Sequence, residues 1–288
     1  MTDPATIPLS ELRLGAGSAT HPGLRRRSNE DSLLTASPVF LVADGMGGHE
    51  AGEVASALAV ESFGALAGRP SVAPAEVRDA FDRARTAIAR LAHAGSRRAG
   101  TTVSGVAVTD VDGVAHWLVF NLGDSRTYRF GGGELEQISV DHSVVQELLD
   151  EGSLDSAAAA VHPERNVITR ALGGGGASQP DYWVVPVQHG DRILVCSDGV
   201  SGELDRAALE RVLREEPVPQ EAAVRLVHEG VLRGGRDNLT AVVVDATDAR
   251  VTAAEGDGQD AQPGSAESGS AHDEDTIPRG RVGAGGRS

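Results

Sequence analysis

The chain contains no lysine, so all of its fixed positive charge is arginine. It has one cysteine, Cys196, which excludes an internal disulfide and fits a reducing compartment. Aromatic residues make up only 3%, so Val, Leu, Ala and Ile must build the core. No apolar run approaches the ~20 residues needed to span a bilayer. The N-terminus, MTDPATIPLS, lacks the basic-then-apolar pattern of a secretion signal. These features predict a cytoplasmic protein. Basic charge is also scarce relative to acidic, giving a net charge of −16 with His neutral. Such a field disfavours nucleic-acid backbones and anionic membranes, which need a cationic surface.

The last forty or so residues are rich in Gly, Ala, Ser, Asp and Glu, leaving roughly 245 for folded structure, enough for one large domain or two small ones. The sequence predicts a disordered lead over 1–12, a folded unit over 13–246 and a disordered acidic tail over 247–288, where too little apolar surface is available to offset ordering entropy. Strands are predicted at 39–43, 101–108, 114–121, 127–130, 184–187, 192–196 and 239–244. Helices are predicted at 53–67, 74–93, 144–151, 206–215 and 219–230. Strand runs interleaved with helix pairs, without strict βαβ alternation, favour an α+β sandwich with antiparallel sheets.

Three apolar strands end in an Asp at a turn: Asp44 after Val42-Ala43, Asp124 after Leu122-Gly123, and Asp198 after Cys196-Ser197. A fourth, Asp237, directly precedes a strand. Each alone is ordinary Asp-Gly turn chemistry. Four of them at the ends of strong strands would bring carboxylates together, where they repel and call for a cation. Oxygen-only ligands select hard ions such as Mg²⁺ or Mn²⁺. The nine histidines are scattered without zinc-type pairs. Asp44-Gly45-Met46-Gly47-Gly48 also resembles a nucleotide-binding turn, but Glu50 replaces the third glycine and an Asp at the phosphate end would repel a pyrophosphate.

The ordered set Arg26-x₂-Asn29-Glu30-Asp31, Asp44-Gly45-Met46-Gly47-Gly48, Gly100-Thr101-Thr102, Gly123-Asp124-Ser125-Arg126, Asp141-His142-Ser143, Ser197-Asp198-Gly199 and Asp237-Asn238 resembles the motifs of the PPM family, the metal-dependent type 2C protein Ser/Thr phosphatases. His162-Pro163 with Arg165 to Gly173 is similar to the bacterial branch. The resemblance runs from about residue 20 to 245. It implies a four-layer α-β-β-α sandwich with two central antiparallel sheets and a mobile flap over 145–180. It also implies two tightly bound Mn²⁺ or Mg²⁺ ions and a weaker third.

In that scheme Asp44 bridges the two metals and Gly45 offers its carbonyl to the second. Asp198 and Asp237 complete the first metal, Glu30 and Asp31 act through metal-bound waters, and Asp124 joins Asp198 at the third. Arg26 binds the substrate phosphate, and a water bridging the metals attacks phosphorus. The implied partners are phosphorylated proteins, in particular bacterial Ser/Thr kinases and their targets, acted on by a monomer that binds neither nucleic acid nor membrane.

Two positions depart from the pattern. Met46 stands where animal members carry a His, which leaves a metal-bound water as proton donor, with His49 as the alternative. Gly202 stands where some relatives have a further carboxylate. Arg25 and Arg27, which flank Arg26, read as a solvated basic turn, with contact to phosphate as the alternative. Within the tail, Asp273 to Pro278 forms an acidic threonine site centred on Thr276. Rival readings are a non-catalytic phosphoprotein-binding regulator, which would require lost metal ligands, and a small-molecule phosphatase.

Overall fold

In a computed structural model, the structure describes residues 6–47, 50–93, 99–155, 158–159, 161–173 and 179–251. Twelve strands form two antiparallel sheets within these residues. The strands are β1 (Leu12–His21), β2 (Asp31–Ala36), β3 (Val39–Met46), β4 (Gly100–Thr101), β5 (Val103–Val111), β6 (Val114–Leu122), β7 (Arg126–Gly131), β8 (Glu134–Gln137), β9 (Leu172–Gly173), β10 (Asp181–Pro186), β11 (Arg192–Cys196) and β12 (Leu239–Asp248). One sheet has the order β1-β12-β11-β7-β8. The other runs β10-β6-β5-β3-β4-β9, with β2 added beside β3.

Helices α1 (Glu50–Gly64) and α2 (Pro74–His93) cover the larger sheet. Helices α4 (Asp198–Glu203), α5 (Arg206–Glu215) and α6 (Pro219–Arg233) cover the smaller, while α3 (Val144–Asp150) lies in the expected flap region.

The continuous apolar strands follow from this layering, because both faces of each central strand are buried. On β3, Val39, Leu41 and Ala43 pack under α1 and α2, whereas Phe40 and Val42 face the other sheet. On β12, Leu239, Ala241 and Val243 meet the second helical layer, and Val242 and Val244 join the core between the sheets. The scarce aromatics concentrate where a helix pair meets a sheet. Phe63, Phe81 and Phe120 form a cluster with ring centroids 5.1–5.8 Å apart, a spacing that favours offset and edge-to-face contacts.

Several local expectations need correction. Residues 6–12 are not a loose lead. Ile7 is fully buried, its N–H donates to the Val187 carbonyl and its carbonyl accepts from Ala115. Strand β1 was missed because Gly15, Gly17 and Ala19 have low strand propensity. Gly17 is required by the close crossing of α6, since a Cβ there would lie 2.2 Å from the Gln220 Cα, while at Gly15 a Cβ would make an ordinary contact with Pro219 at 3.7 Å. At the other end β12 runs on through Thr247 and buried Asp248, two residues into the expected tail. Residues 252–288, including Thr276, lie outside the described residues.

Candidate active site

The strand ends meet as the turn chemistry predicts. Arg26, Glu30, Asp44, Gly45, Asp124, Asp198 and Asp237 all line one cleft of about 510 Å³ at the end of the two sheets. Each is placed by a separate local device. The β3 end that carries Asp44 is gripped by the Gly100–Thr102 segment. The Asp44 N–H donates to Thr102 Oγ1 at 3.0 Å, and its carbonyl accepts from the Thr102 N–H at 2.9 Å. Gly45 is required by crowding, because a Cβ there would sit 2.2 Å from the Gly52 carbonyl oxygen and 2.5 Å from that of Glu30. Asp124 follows Gly123, whose φ of +114° is open chiefly to glycine, and whose missing Cβ leaves room for Thr102.

Asp198 opens helix α4. Its N-cap residue, Ser197, does not cap the helix but turns its hydroxyl inward. That hydroxyl donates to Asp31 Oδ2 at 2.9 Å and accepts from the Thr240 N–H at 3.0 Å. Thr240 Oγ1 donates to the same Asp31 oxygen at 2.6 Å. Asp31 therefore lies behind the cleft rather than on its wall. Its other oxygen, Oδ1, and Asp198 Oδ1 are buried with no hydrogen-bond partner among the described residues.

The electrostatics point the same way. Desolvation, then neighbouring carboxylates, pushes Asp44 well above the usual carboxylate range. Desolvation, opposed by the hydroxyls of Thr240 and Ser197, raises Asp31 to about 7. Desolvation and Asp198 raise Asp124 to about 8. Burial and Asp237 raise Asp198, which shares a side-chain hydrogen bond with Asp44. Among the described residues no three carboxylate, His or Cys side chains already converge as a finished metal cage. The carboxylates instead take hydroxyls and an arginine as partners, with Arg26 Nη2 2.6 Å from Asp237 Oδ2. Orphaned buried oxygens and carboxylates too crowded to ionise together are what a hard cation would relieve, so the donor set fits one.

Three further features carry the site and were not assigned roles from sequence. Asn238 donates from Nδ2 to the carbonyls of Pro22 and Ser28 and accepts the Glu30 N–H, at 2.8–3.0 Å. It thereby ties the Arg26-bearing loop to the start of β12. Arg25 and Arg27 are exposed, as a solvated turn requires, and they also line the cleft beside Arg26. Asn166 and Ile168 reach the cleft from the flap side. A second cavity of about 770 Å³ continues from Asp124 and Asp198 along α3 to Arg165 and Gly202, and the space beyond the Gly202 Cα is open.

Met46 lines the cleft as its position after Asp44-Gly45 requires. His49 lies outside the described residues. Cys196 is fully buried, and desolvation pushes its thiol up to about 12, leaving it inert.

The sequence pattern of the protein phosphatase 2C family matches residues 26–229, which spans the cleft from Arg26 through α4. The chain belongs to that family. It is 36% identical to the serine/threonine protein phosphatase PstP of Mycobacterium tuberculosis over 78% of this chain and 44% of that protein, so it spans less than half the length of that relative. It is 33% identical to the serine/threonine phosphatase stp of Listeria monocytogenes, over 78% of this chain and 93% of that one. The catalytic domain of PstP, crystallised in complex with two manganese ions, matches with a TM-score of 0.75 at 34% identity, covering 82% of this chain and all of that one. The PPM Ser-Thr phosphatase MsPP of Mycobacterium smegmatis, in complex with cacodylate, matches with a TM-score of 0.73 at 36% identity, covering 80% of this chain and 97% of that one. The type 2C fold expected from the motifs, two antiparallel sheets between helical layers, is the fold observed. No helix of the described residues is long and apolar enough to cross a membrane.

Proposed function

We propose that the chain hydrolyses phosphoserine and phosphothreonine on proteins, with divalent cations held in the carboxylate cleft. The observation that carries this reading is the convergence of Asp44, Asp124, Asp198 and Asp237 with Arg26 in one open cleft. Asp44, Asp198, Asp237 and the Gly45 carbonyl would hold two ions of the Mn²⁺ or Mg²⁺ type, Asp124 with Asp198 a weaker third, and Glu30 and Asp31 would act through intervening waters. Bound cations supply the charge that neutralises phosphoryl oxygens and the acidity that makes water a nucleophile near neutral pH.

The protein's own part is positioning. Arg26 offers a guanidinium to the equatorial oxygens of the phosphate, a contact that gains strength as charge accumulates there. Thr102 holds Asp44, and Asn238 holds the arginine loop, so neither group must reorganise during the reaction. Asp31, gripped by Ser197 and Thr240, fixes the polarity behind the cleft. The physiological partners in this reading are Ser/Thr kinases and their phosphorylated targets, met in the cytoplasm by a monomeric enzyme.

Phosphate release from phosphoserine, phosphothreonine and phosphotyrosine peptides tests the proposal. The first two are expected to be substrates when Mn²⁺ is supplied. Release from none of them, while an aryl phosphate is cleaved, would favour a small-molecule phosphatase instead.

Arg26→Ala is expected to raise KM for a phosphothreonine peptide about 10- to 100-fold, the loss of a charge-assisted contact of roughly 1.5–3 kcal/mol, with Mn²⁺ binding retained. An unchanged KM beside a raised one in Arg25→Ala or Arg27→Ala would move the phosphate contact to a neighbouring arginine. All three line the cleft.

A further inference from the structure

The segment Asp141-His142-Ser143 lies between β8 and α3, and its histidine is buried at 4% exposure. His142 lines neither the catalytic cleft nor the adjoining cavity, so it does not face a substrate there. Its contacts go to the parts that do. The Gly123 N–H donates to His142 Nδ1 at 3.1 Å, and the His142 N–H donates back to the Gly123 carbonyl at 2.9 Å. Gly123 is thus held by both of its polar groups, and Asp124 is the next residue. On its other side, the His142 carbonyl accepts from the Thr169 N–H at 2.8 Å, while Ser143 bridges to Ile168 and the Val144 N–H donates to the Val167 carbonyl. That flap segment carries Asn166 and Ile168 into the cleft.

The ring has one tautomer that satisfies both neighbours. Nδ1 accepts from Gly123, so Nε2 carries the hydrogen and donates it to Asp181 Oδ2 at 3.0 Å. Arg170 Nη1 lies 3.4 Å from both Nε2 and Asp181 Oδ1, and with Nε2 protonated its hydrogen goes to the carboxylate. We infer that His142 is a positioning residue for the Asp124 turn, acting through its acceptor nitrogen Nδ1, while the main chain beside it ties that turn to the flap segment. This rests on the phosphatase reading for its kinetic consequence but not for the contact itself. Flanking residues serve different ends: Asp141 receives Arg126 through Nε and Nη2, and Ser143 caps α3 by accepting the Gln146 N–H. The ring's own share is therefore the Nδ1 bond to the Gly123 N–H, while the main chain of residues 142–144 holds the flap segment.

Two side chains separate the ring's two bonds. Asn places an oxygen near the Nδ1 position and keeps the acceptor for Gly123. Gln reaches the Nε2 position and keeps the donor to Asp181, but loses that acceptor. The test uses the full chain as wild type, His142→Asn, His142→Gln and His142→Ala. It measures kcat and KM for a phosphothreonine peptide with Mn²⁺, the Tm, and hydrogen exchange at the Gly123 amide.

The expected result is that Asn stays within about threefold of wild type in kcat, while Gln and Ala fall by about 10- to 100-fold, as for other outer positioning groups, with little change in KM. Exchange at Gly123 quickens in Gln and Ala but not in Asn. Wild-type kcat and protected Gly123 in the Gln variant would overturn the inference. So would a fall in kcat that tracks Tm across all three variants with no advantage for Asn. If the wild type releases no phosphate, the functional reading fails, and the Gly123 exchange pattern still decides whether Nδ1 holds the turn.

Discussion

Asp44→Asn and Asp198→Asn are each expected to lower turnover by more than tenfold while the protein stays folded. Both carboxylates line the cleft, both are half-buried, and they share a side-chain hydrogen bond with each other. Even changes one shell away from a metal commonly cost 10–100-fold, so a variant that keeps more than about a tenth of wild-type turnover would remove that residue from the ligand set.

The same variants are expected to melt higher than wild type in chelator. Desolvation and mutual repulsion raise these carboxylates in the folded state relative to the unfolded chain. A folded-state pKa above the unfolded one means that the native state binds more protons over the interval between them. Stability therefore falls as pH rises through that interval. Asp31, raised to about 7, and Asp124, raised to about 8, place the window between roughly pH 4 and 8. Melting of chelator-treated wild type at pH 5 and pH 8 should show the higher Tm at pH 5, with a smaller gap in Asp44→Asn. A Tm that rises with pH in chelator would contradict the repulsion account.

Asn238→Ala is expected to produce the largest loss of stability of any single change near the site. The amide makes two donor bonds, to Pro22 and Ser28, and one acceptor bond, from Glu30. Removing it strands three backbone groups that are partly buried, at roughly 1 kcal/mol or more each. The expected total of about 3 kcal/mol corresponds to a drop in Tm of roughly 6–12 °C for a domain of this size. Turnover should fall as well, because the loop between Pro22 and Glu30 carries Arg26. Asn238→Asp retains an acceptor for the Glu30 N–H but loses both donors. It should therefore be nearly as unstable, and a wild-type Tm in either variant would show that the loop is held by other contacts.

The sequence was most readable where side-chain chemistry is local. The apolar runs at 39–43, 192–196 and 239–244 announce buried strands because both of their faces meet a core. The turn carboxylates at their ends were legible for the same reason, since strand ends in adjacent sheets converge. What stayed hidden depends on long-range packing. Strand β1 is rich in glycine and alanine, and only the fold reveals that Gly17 answers the close passage of α6. Helix α4 was hidden because Asp198-Gly199 reads as a turn. The structure makes Gly199 the point where a Cβ would meet the Asn238 carbonyl oxygen at 1.9 Å. Asn238 was legible as part of a motif but not as a clamp, because its three partners lie more than two hundred residues away. The sequence places Asp31 in the motif but does not show that it lies behind the cleft wall, where the hydroxyls of Ser197 and Thr240 hold one of its oxygens.

The carboxylate cleft is expected to work only when loaded with divalent cations. The measurement that bears on it most directly is phosphate release from a phosphothreonine peptide by the full chain after exhaustive chelation, during stepwise return of Mn²⁺. The account predicts no release from the stripped protein and recovery as Mn²⁺ fills the cleft, with Mg²⁺ able to substitute and Asp44→Asn failing to recover at any concentration. Full turnover by the stripped protein would contradict it.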